Sequence, residues 1–314
     1  MSLRLSTGPH LLHKESTRTL MLDVIIALVP TTAAGIYLFG SKAAWVLAVA
    51  VASAVLCEYL FQKLTRRPVR VLDLSAVVTG LILGLNLPAE APLWLPAIGS
   101  AVAVILVKEL FGGIGHNFMN PALLARGILL ASWPARMSVY FMPIRVLGAT
   151  SAVPAGPDAV SSATALIRPQ GYEVYDLLMG NIPGTIGEVC KIAILIGFLY
   201  MLFVGTIKWH IPVIFVGTVA LFTWLIGGDP LKAVLSGGLL FGAVFMATDY
   251  VTNPMLRIGQ VIFAIGCGLL VAVIRMNGAF PEGVTYAILI MNILTPLIDR
   301  LTSRRVYGTV KQHA

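Results

Sequence analysis

Residues 75–88 read SAVVTGLILGLNLP, and residues 236–254 read SGGLLFGAVFMATDYVTNP. Both are apolar runs interrupted by glycine that close on Asn and Pro. A bilayer-crossing helix needs about 20 apolar residues. Short, Gly- or Pro-interrupted segments at corresponding places in two halves of a chain point to a binding site built from broken helices. Working outward from these runs, about ten spans are predicted, near 20–39, 42–64, 74–87, 93–111, 118–133, 187–206, 211–226, 231–248, 258–274 and 284–301. The polar segment 134–186 divides them into two groups of five. An odd number in each half makes the second start from the opposite face, which is the arithmetic of an inverted repeat. Each half also closes with a Gly/Asn/Pro-rich approach to its last helix, GGIGHNFMNPALLARG (112–127) and NGAFPEGVTYAILIMN (277–292).

The fold class is therefore an all-α polytopic membrane protein, with about ten transmembrane helices as two five-helix inverted repeats. Residues 1–19 and 302–314 are tails, 20–133 and 187–301 the two membrane repeats, and 134–186 an outer segment. Composition agrees. The chain of 314 residues is 58% hydrophobic and only 11% charged, against about 25% charged in soluble domains. A formal net charge of +8 would suggest nucleic acid in a soluble protein. Here the cations lie between the spans, so topology explains them and no nucleic acid is implied. Arg4, Lys14 and Arg18, then Lys63, Arg66, Arg67 and Arg70, then Arg300, Arg304, Arg305 and Lys311 alternate with cation-poor loops. That bias puts both termini in the cytoplasm and 134–186 outside. The first 20 residues are too polar for a signal peptide, so the first span is expected to remain as a transmembrane helix.

Several chemistries are disfavoured. Cys57, Cys190 and Cys267 are far apart and form no CxxC, against an iron–sulfur centre within this chain. The histidines suggest no haem or metal site. No Walker, HExxH or Ser–His–Asp pattern occurs, and the GxG of GGIG follows no strand, so nicotinamide binding is not expected. Three stretches remain as candidates. In FGGIGHNFMNPALLARG (111–127), Asn117, Asn120 and Pro121 precede a helix; Asn can cap it and Pro suits its first position. Freed amides there can receive an anion or a carbonyl-rich ring, and Arg126 is an intramembrane cation needing a partner. In FMATDYVTNP (245–254), Asp249 with Thr248, Thr252 and Asn253 offers oxygens at a broken helix, for Na⁺, for a ring nitrogen, or as plain caps. In NGAFPEGVTYAILIMNILTPLIDR (277–300), Glu282 precedes a helix kinked near Asn292, Thr295 and Pro296.

Together these stretches resemble one family: the D-type subunits of the Rnf complex, the membrane-bound ferredoxin:NAD⁺ oxidoreductase. These are related to the B-type subunits of the Na⁺-translocating NADH:quinone reductase. The GG-x-G-x-N-x-x-NPA pattern matches Gly112, Gly113, Gly115, Asn117, Asn120, Pro121 and Ala122. ATD-x-VT-x-P matches Ala247, Thr248, Asp249, Val251, Thr252 and Pro254. PEGV…MN…PLID matches Pro281 to Val284, Met291, Asn292 and Pro296 to Asp299. The quinone-reductase relative has a longer N-terminal region than this chain. Tyr250 departs from the proline usual after the aspartate.

The resemblance also implies a meaning for DAVSSATAL (158–166). In the family, FMN is attached as a phosphoester to the threonine of D-x-x-S-x-A-T, which Asp158, Ser161, Ala163 and Thr164 match. Ser162 stands where Gly or Thr is usual. Thr164 is then the acceptor, and Asp158 and Ser161 are read by an exported flavin transferase. The resemblance further implies a urea-transporter-like fold and a noncovalent riboflavin in the bundle. It implies partner subunits including an FMN-bearing G-type subunit, a prokaryotic inner or plasma membrane, and export of Na⁺ or H⁺ coupled to electron flow. Asn117, Asn120, Arg126 and Asp249 become candidate flavin or ion contacts, and Glu58 and Asp249 candidates for the ion path. The rivals are a solute channel or transporter, a membrane anchor without cofactor, and the quinone-reductase relative.

Overall fold

The computed structural model describes residues 16–143, 172–276 and 283–303, and these contain helices and connections but no strand. In chain order come α1 (Thr17–Phe39), α2 (Ser41–Leu64), a 3-10 turn at Val71–Asp73, α3 (Ser75–Leu85), α4 (Trp94–Ala101) running on into a π-helical stretch at Val102–Glu109, α5 (Pro121–Ser132) and the short α6 (Pro134–Met137). From residue 172 onward come α7 (Val174–Met179), α8 (Lys191–Val204), α9 (His210–Leu225), α10 (Pro230–Leu235), α11 (Leu239–Phe241) running on into a second π-helical stretch at Gly242–Met246, α12 (Arg257–Met276) and α13 (Gly283–Thr302).

The helices α1, α2, α12 and α13 are long and apolar enough to cross a membrane, and α3, α5, α8 and α9 are shorter apolar helices. The expected full spans thus resolve into unequal pieces. The 74–87 run gives an 11-residue helix, α3. At 1.5 Å per residue it rises about 16 Å, roughly half of a 30 Å hydrocarbon core. The expected 118–133 span starts only at Pro121. Asn120 is extended, and its Oδ1 accepts from the amides of Ala122 and Leu123 at 3.1 and 3.2 Å. The expected 231–248 span breaks at Ser236–Gly238.

Large apolar side chains face outward over the bundle. Phe203 is 93% exposed and Leu64 82%, which in water would be a liability and in lipid is contact surface. Trp45, Trp94 and Trp133 lie near helix ends on the side where Lys42 pairs with Glu90 at 2.6 Å, the usual level for tryptophan at a membrane interface. The other side carries Lys63, Arg66, Arg67 and Arg70 where α2 stops. These are called below the far end and the basic end. The several apolar helices and their outward-facing surface describe a multi-pass membrane protein.

Inside, α1 packs on α8, α2 on α3 and α4, α9 on α12, and α12 on α13. With no hydrophobic drive between helices in lipid, small residues let backbones close in. A Cβ on Gly80 of α3 would stand 2.7 Å from the Ala50 carbonyl oxygen of α2, and one on Gly197 of α8 would run into the Ala27 carbonyl of α1. Replacing Gly197 with leucine is expected to cost about 1–3 kcal/mol through overpacking and to lower the melting temperature of the detergent-purified protein. Phe203→Leu, on the lipid side of the same helix, should leave it unchanged. Thermal unfolding followed by tryptophan fluorescence checks both.

Candidate functional site

The broken segments converge on one cleft. Its wall includes Ser75, Thr79 and Ile82 from α3, Lys108 from the first π stretch, Asn117 and Asn120 before α5, and Phe245, Thr248, Asp249 and Tyr250 after the second break. Each π stretch contributes a wall residue, Lys108 or Phe245. π-helical turns recur at functional sites because the extra residue re-aims side chains. The cavity holds about 100 Å³. A second cavity of about 350 Å³ adjoins it and shares Ile207, Thr248 and Tyr250 as lining; it adds Asp23, Lys208, Asn253 and Gln260. Alone, the central cleft is below the roughly 300–1,000 Å³ typical of small-molecule sites; taken together the two cavities reach that range.

The polar lining is only partly satisfied within the chain. Asn120 is engaged at both ends: its Oδ1 caps α5, and its Nδ2 donates to the Met246 carbonyl at 3.4 Å. Asp249 accepts from the Val251 amide at 3.4 Å and the Thr252 hydroxyl at 3.3 Å. By contrast, Asn117 Oδ1, Asn253 Oδ1 and Thr206 Oγ1 are buried with no hydrogen-bond partner. Buried polar atoms are nearly always paired, so three open ones around adjoining cavities mark places for a polar ligand edge or water.

Behind the cleft, toward the basic end, Lys108 pairs with Glu58 of α2 at 2.6 Å, both at most 2% exposed. Lys108 Nζ also donates to Ser75 Oγ at 2.5 Å. Leu74, with φ 65°, takes up the left-handed turn between Asp73 and Ser75, an uncommon conformation for a bulky residue.

Toward the far end, Arg126 of α5 does not line the cleft. It donates to Asn86 Oδ1 at 2.8 Å, just past the end of α3. Tyr140 is buried nearby. Its burial and the Glu188 carboxylate raise its phenol pKa above the usual range, against the opposing pull of Arg126. Lys191 donates to the carbonyls of Glu188 and Gly237, the latter at 2.8 Å, and Arg275 donates to the carbonyls of Ala233 and Ser236 at 2.7 and 3.1 Å.

Of the candidates from sequence, Asn117, Asn120 and Asp249 thus share one cleft, Glu58 stands behind it through Lys108, and Arg126 lies apart. Asp158, Ser161, Ser162, Ala163, Thr164 and Glu282 lie outside the described residues. Lys108 and Glu109 are functional candidates that the sequence motifs do not single out. Their signal is nonetheless there: two charges inside the apolar run 93–111, with Glu58 as a countercharge in the neighbouring span. Among the described residues, no three His, Cys, Asp or Glu side chains converge to hold a metal ion.

Comparison with known proteins matches residues 4–308 to the model of the NQR2, RnfD, RnfE family. The chain is 45% identical to the D-type subunit of the Na(+)-translocating ferredoxin:NAD(+) oxidoreductase complex of Acetobacterium woodii, covering 99% of this chain and 97% of that one. It is 39% identical to the D-type subunit of the proton-translocating ferredoxin:NAD(+) oxidoreductase complex of Clostridium ljungdahlii, over 97% and 96% of the two chains. With the corresponding subunit of the ion-translocating oxidoreductase complex of Stutzerimonas stutzeri it shares 41% identity over 94% and 93%. Broken helices around one cleft, the motifs that build them and near full-length similarity agree: the chain belongs to the NQR2, RnfD, RnfE family.

Proposed function

We propose that this protein is the D-type subunit of an ion-translocating ferredoxin:NAD⁺ oxidoreductase complex, carrying FMN as a phosphoester on Thr164. The observation that carries this reading is the D-x-x-S-x-A-T match at Asp158–Thr164 within a chain similar to such subunits over almost its whole length. A phosphoester needs an accessible hydroxyl on small-residue backbone, and Ser161, Ser162 and Ala163 meet that need around Thr164. The lysine and arginine bias supports cytoplasmic termini and an outer position for this segment, in the plasma membrane of a prokaryote. An outer position suits an exported flavin transferase and an electron-donating neighbour such as the FMN-bearing G-type subunit. FMN supplies one- and two-electron redox chemistry.

The inverted-repeat architecture is part of the same proposal. α2 packs on α3 and α4 much as α9 packs on the α10–α11 segment and α12. α1 starts from the basic end and α8 from the far end, and both halves contain a shortened or broken third segment and a π stretch. The adjoining cavities support a second, noncovalent flavin. They combine apolar walls, unpartnered Asn117, Thr206 and Asn253 oxygens, and the Lys108 ammonium. In that role Asn117 would fix the orientation of a polar ring edge, and the apolar wall at Val78, Ile82 and Phe245 would exclude water.

On a denaturing gel under ultraviolet light, the chain coexpressed with its flavin transferase should fluoresce, and Thr164→Val should be dark. A dark wild-type band beside a labelled control would remove the covalent-flavin claim and leave the solute-transporter reading, tested by flux into liposomes. Separately, Asn117→Leu should lower the flavin released by acid denaturation at least several-fold while leaving gel fluorescence intact. Unchanged release would take Asn117 out of any flavin site.

A further inference from the structure

At the far end a cavity of about 230 Å³ lies among the last turn of α9, the short α10 and the last turn of α12. Ile226 and Met276 stand in its wall and are 52% and 57% exposed, and the nearby Trp224 is 64% exposed. The cavity thus opens on the lipid-facing surface, at the level where tryptophan marks a membrane interface. Its other wall residues include Lys232 of α10 and Arg275 of α12. An apolar mouth over two cations is an uncommon pairing, and neither the central cleft nor its neighbouring cavity uses it.

The donors left over in that wall are cationic. A guanidinium has five N–H groups. Arg275 spends one on the Ala233 carbonyl at 2.7 Å and one on the Ser236 carbonyl at 3.1 Å, which fixes its plane. Its Nε is buried with no partner. Among the described residues the Lys232 ammonium meets no acceptor, and neither cation has a carboxylate within salt-bridge distance. Asp229, the acid in the wall, turns its Oδ1 to the amides of Leu231 and Lys232 at 3.0 and 3.3 Å. The hydroxyls of Thr223 and Ser236 donate to the Val219 and Lys232 carbonyls at 2.8 and 2.6 Å, so their protons are taken. Glu188 acts on Arg275 but on Lys191 as well. Three cations therefore stand with two carboxylates at the edge of hydrocarbon, where an uncompensated charge is costly.

We propose that this cavity binds the headgroup phosphate of one anionic phospholipid. Arg275 presents its spare N–H groups to the phosphate oxygens, and Lys232 adds a second positive charge. The planar arginine fork suits phosphate, and lysine serves it as a point charge. One excess cation matches one singly charged headgroup. A cavity of this size holds a headgroup and leaves the acyl chains outside, where Leu225 and Val273 are exposed. Basic pockets between transmembrane helices recur as sites for anionic headgroups. The apolar mouth favours a lipid over free phosphate, which would gain nothing from it. Bound there, the lipid ties α12 to α10, the piece that precedes the break at Ser236–Gly238. This inference depends on membrane residence and not on flavin or on the transported ion. The plain alternative is a capping Arg275 and a solvated Lys232, and it predicts no preference among lipids.

Scintillation proximity on the purified full chain, in detergent micelles carrying radiolabelled dioleoyl phosphatidylglycerol, separates these. Wild type should hold the labelled lipid in a saturable site. Unlabelled phosphatidylglycerol should displace it at a concentration at least about five-fold below that of dioleoyl phosphatidylcholine, the factor expected for a basic residue beside an anionic headgroup. Lys232→Gln, at a side chain with no bond in the fold, should weaken the labelled lipid by about the same factor, and Lys232→Arg should restore it. Arg275→Lys, which keeps the charge and loses the fork, should weaken it as well. Inorganic phosphate at millimolar concentration should leave the lipid in place. Equal competition by the two lipids, or unchanged binding in Lys232→Gln, overturns the proposal. Displacement by inorganic phosphate overturns the lipid as occupant and makes the cavity a free-phosphate site. Should Arg275→Lys fail to fold, the two Lys232 variants decide the matter.

Discussion

The structure depends on satisfying backbone groups that broken helices set free inside a membrane. Hydrocarbon offers no donors or acceptors, so each interrupted segment must find partners within the protein. α3 stops short, and the carbonyls of Leu85 and Leu87 accept from the amides of Gly187 and Ile186 at 2.7 and 3.1 Å. The second π stretch ends at Met246, whose carbonyl receives Asn120 Nδ2. Where α10 ends, Arg275 takes the Ala233 and Ser236 carbonyls and Lys191 takes that of Gly237. Cations at helix C-termini are favoured by the helix dipole as well as by the hydrogen bond. Arg67 does the same for the Glu109 carbonyl at the end of the first π stretch. The charged residues inside this bundle are thus structural before they are anything else, and any added role has to use what the caps leave over.

What they leave over differs between the ends. At the basic end Glu58 accepts from Lys108, Glu109 is joined to Glu58 through Gln62, Asp73 is joined to Lys108 through Ser75, and one Glu58 oxygen remains open. Near the far end Lys191 and Arg275 surround Glu188, whose Oε1 accepts from the Thr185 amide at 3.1 Å and whose Oε2 is open. The Gly238 backbone crowds that open oxygen: a Cβ there would stand 2.7 Å from it. At the basic end Arg67 and Arg70 stand with the carboxylates of Glu58, Asp73 and Glu109, whereas near the far end two cations face the one carboxylate of Glu188. The central cleft lies between them, lined mostly by neutral groups.

Much of this was legible in sequence, for physical reasons. Membrane residence follows from composition. The special character of 75–88 and 236–254 follows from glycine and from Asn/Pro endings, which interrupt helices through backbone geometry alone. The Asn120–Pro121 start was readable because capping is local chemistry. The π stretches were not. Val102–Glu109 is an ordinary apolar helix by period and contains no Gly or Pro, and it packs against α2 and α5, contacts that local pattern does not encode. Lys108 was hidden for the same reason, since its direction depends on that local unwinding. Arg126 needs a partner by its place in a span, and one of the groups it meets is the neutral amide of Asn86, 40 residues away, which no spacing rule can indicate.

The order of charge along the bundle constrains how a cation could be moved. A cation is repelled by Lys191 and Arg275 near the far end, as fixed cations bar a pore. A continuous open path would thus be blocked for a cation at its far end, so the resting fold is a barrier against leak in either direction. Passage requires the far-end potential to drop when transport is wanted. On the functional reading proposed above, the charge change that accompanies electron transfer would supply that drop. Coupling then needs no direct contact between flavin and ion, only a shared low-dielectric bundle in which charges act on one another over longer range than in water.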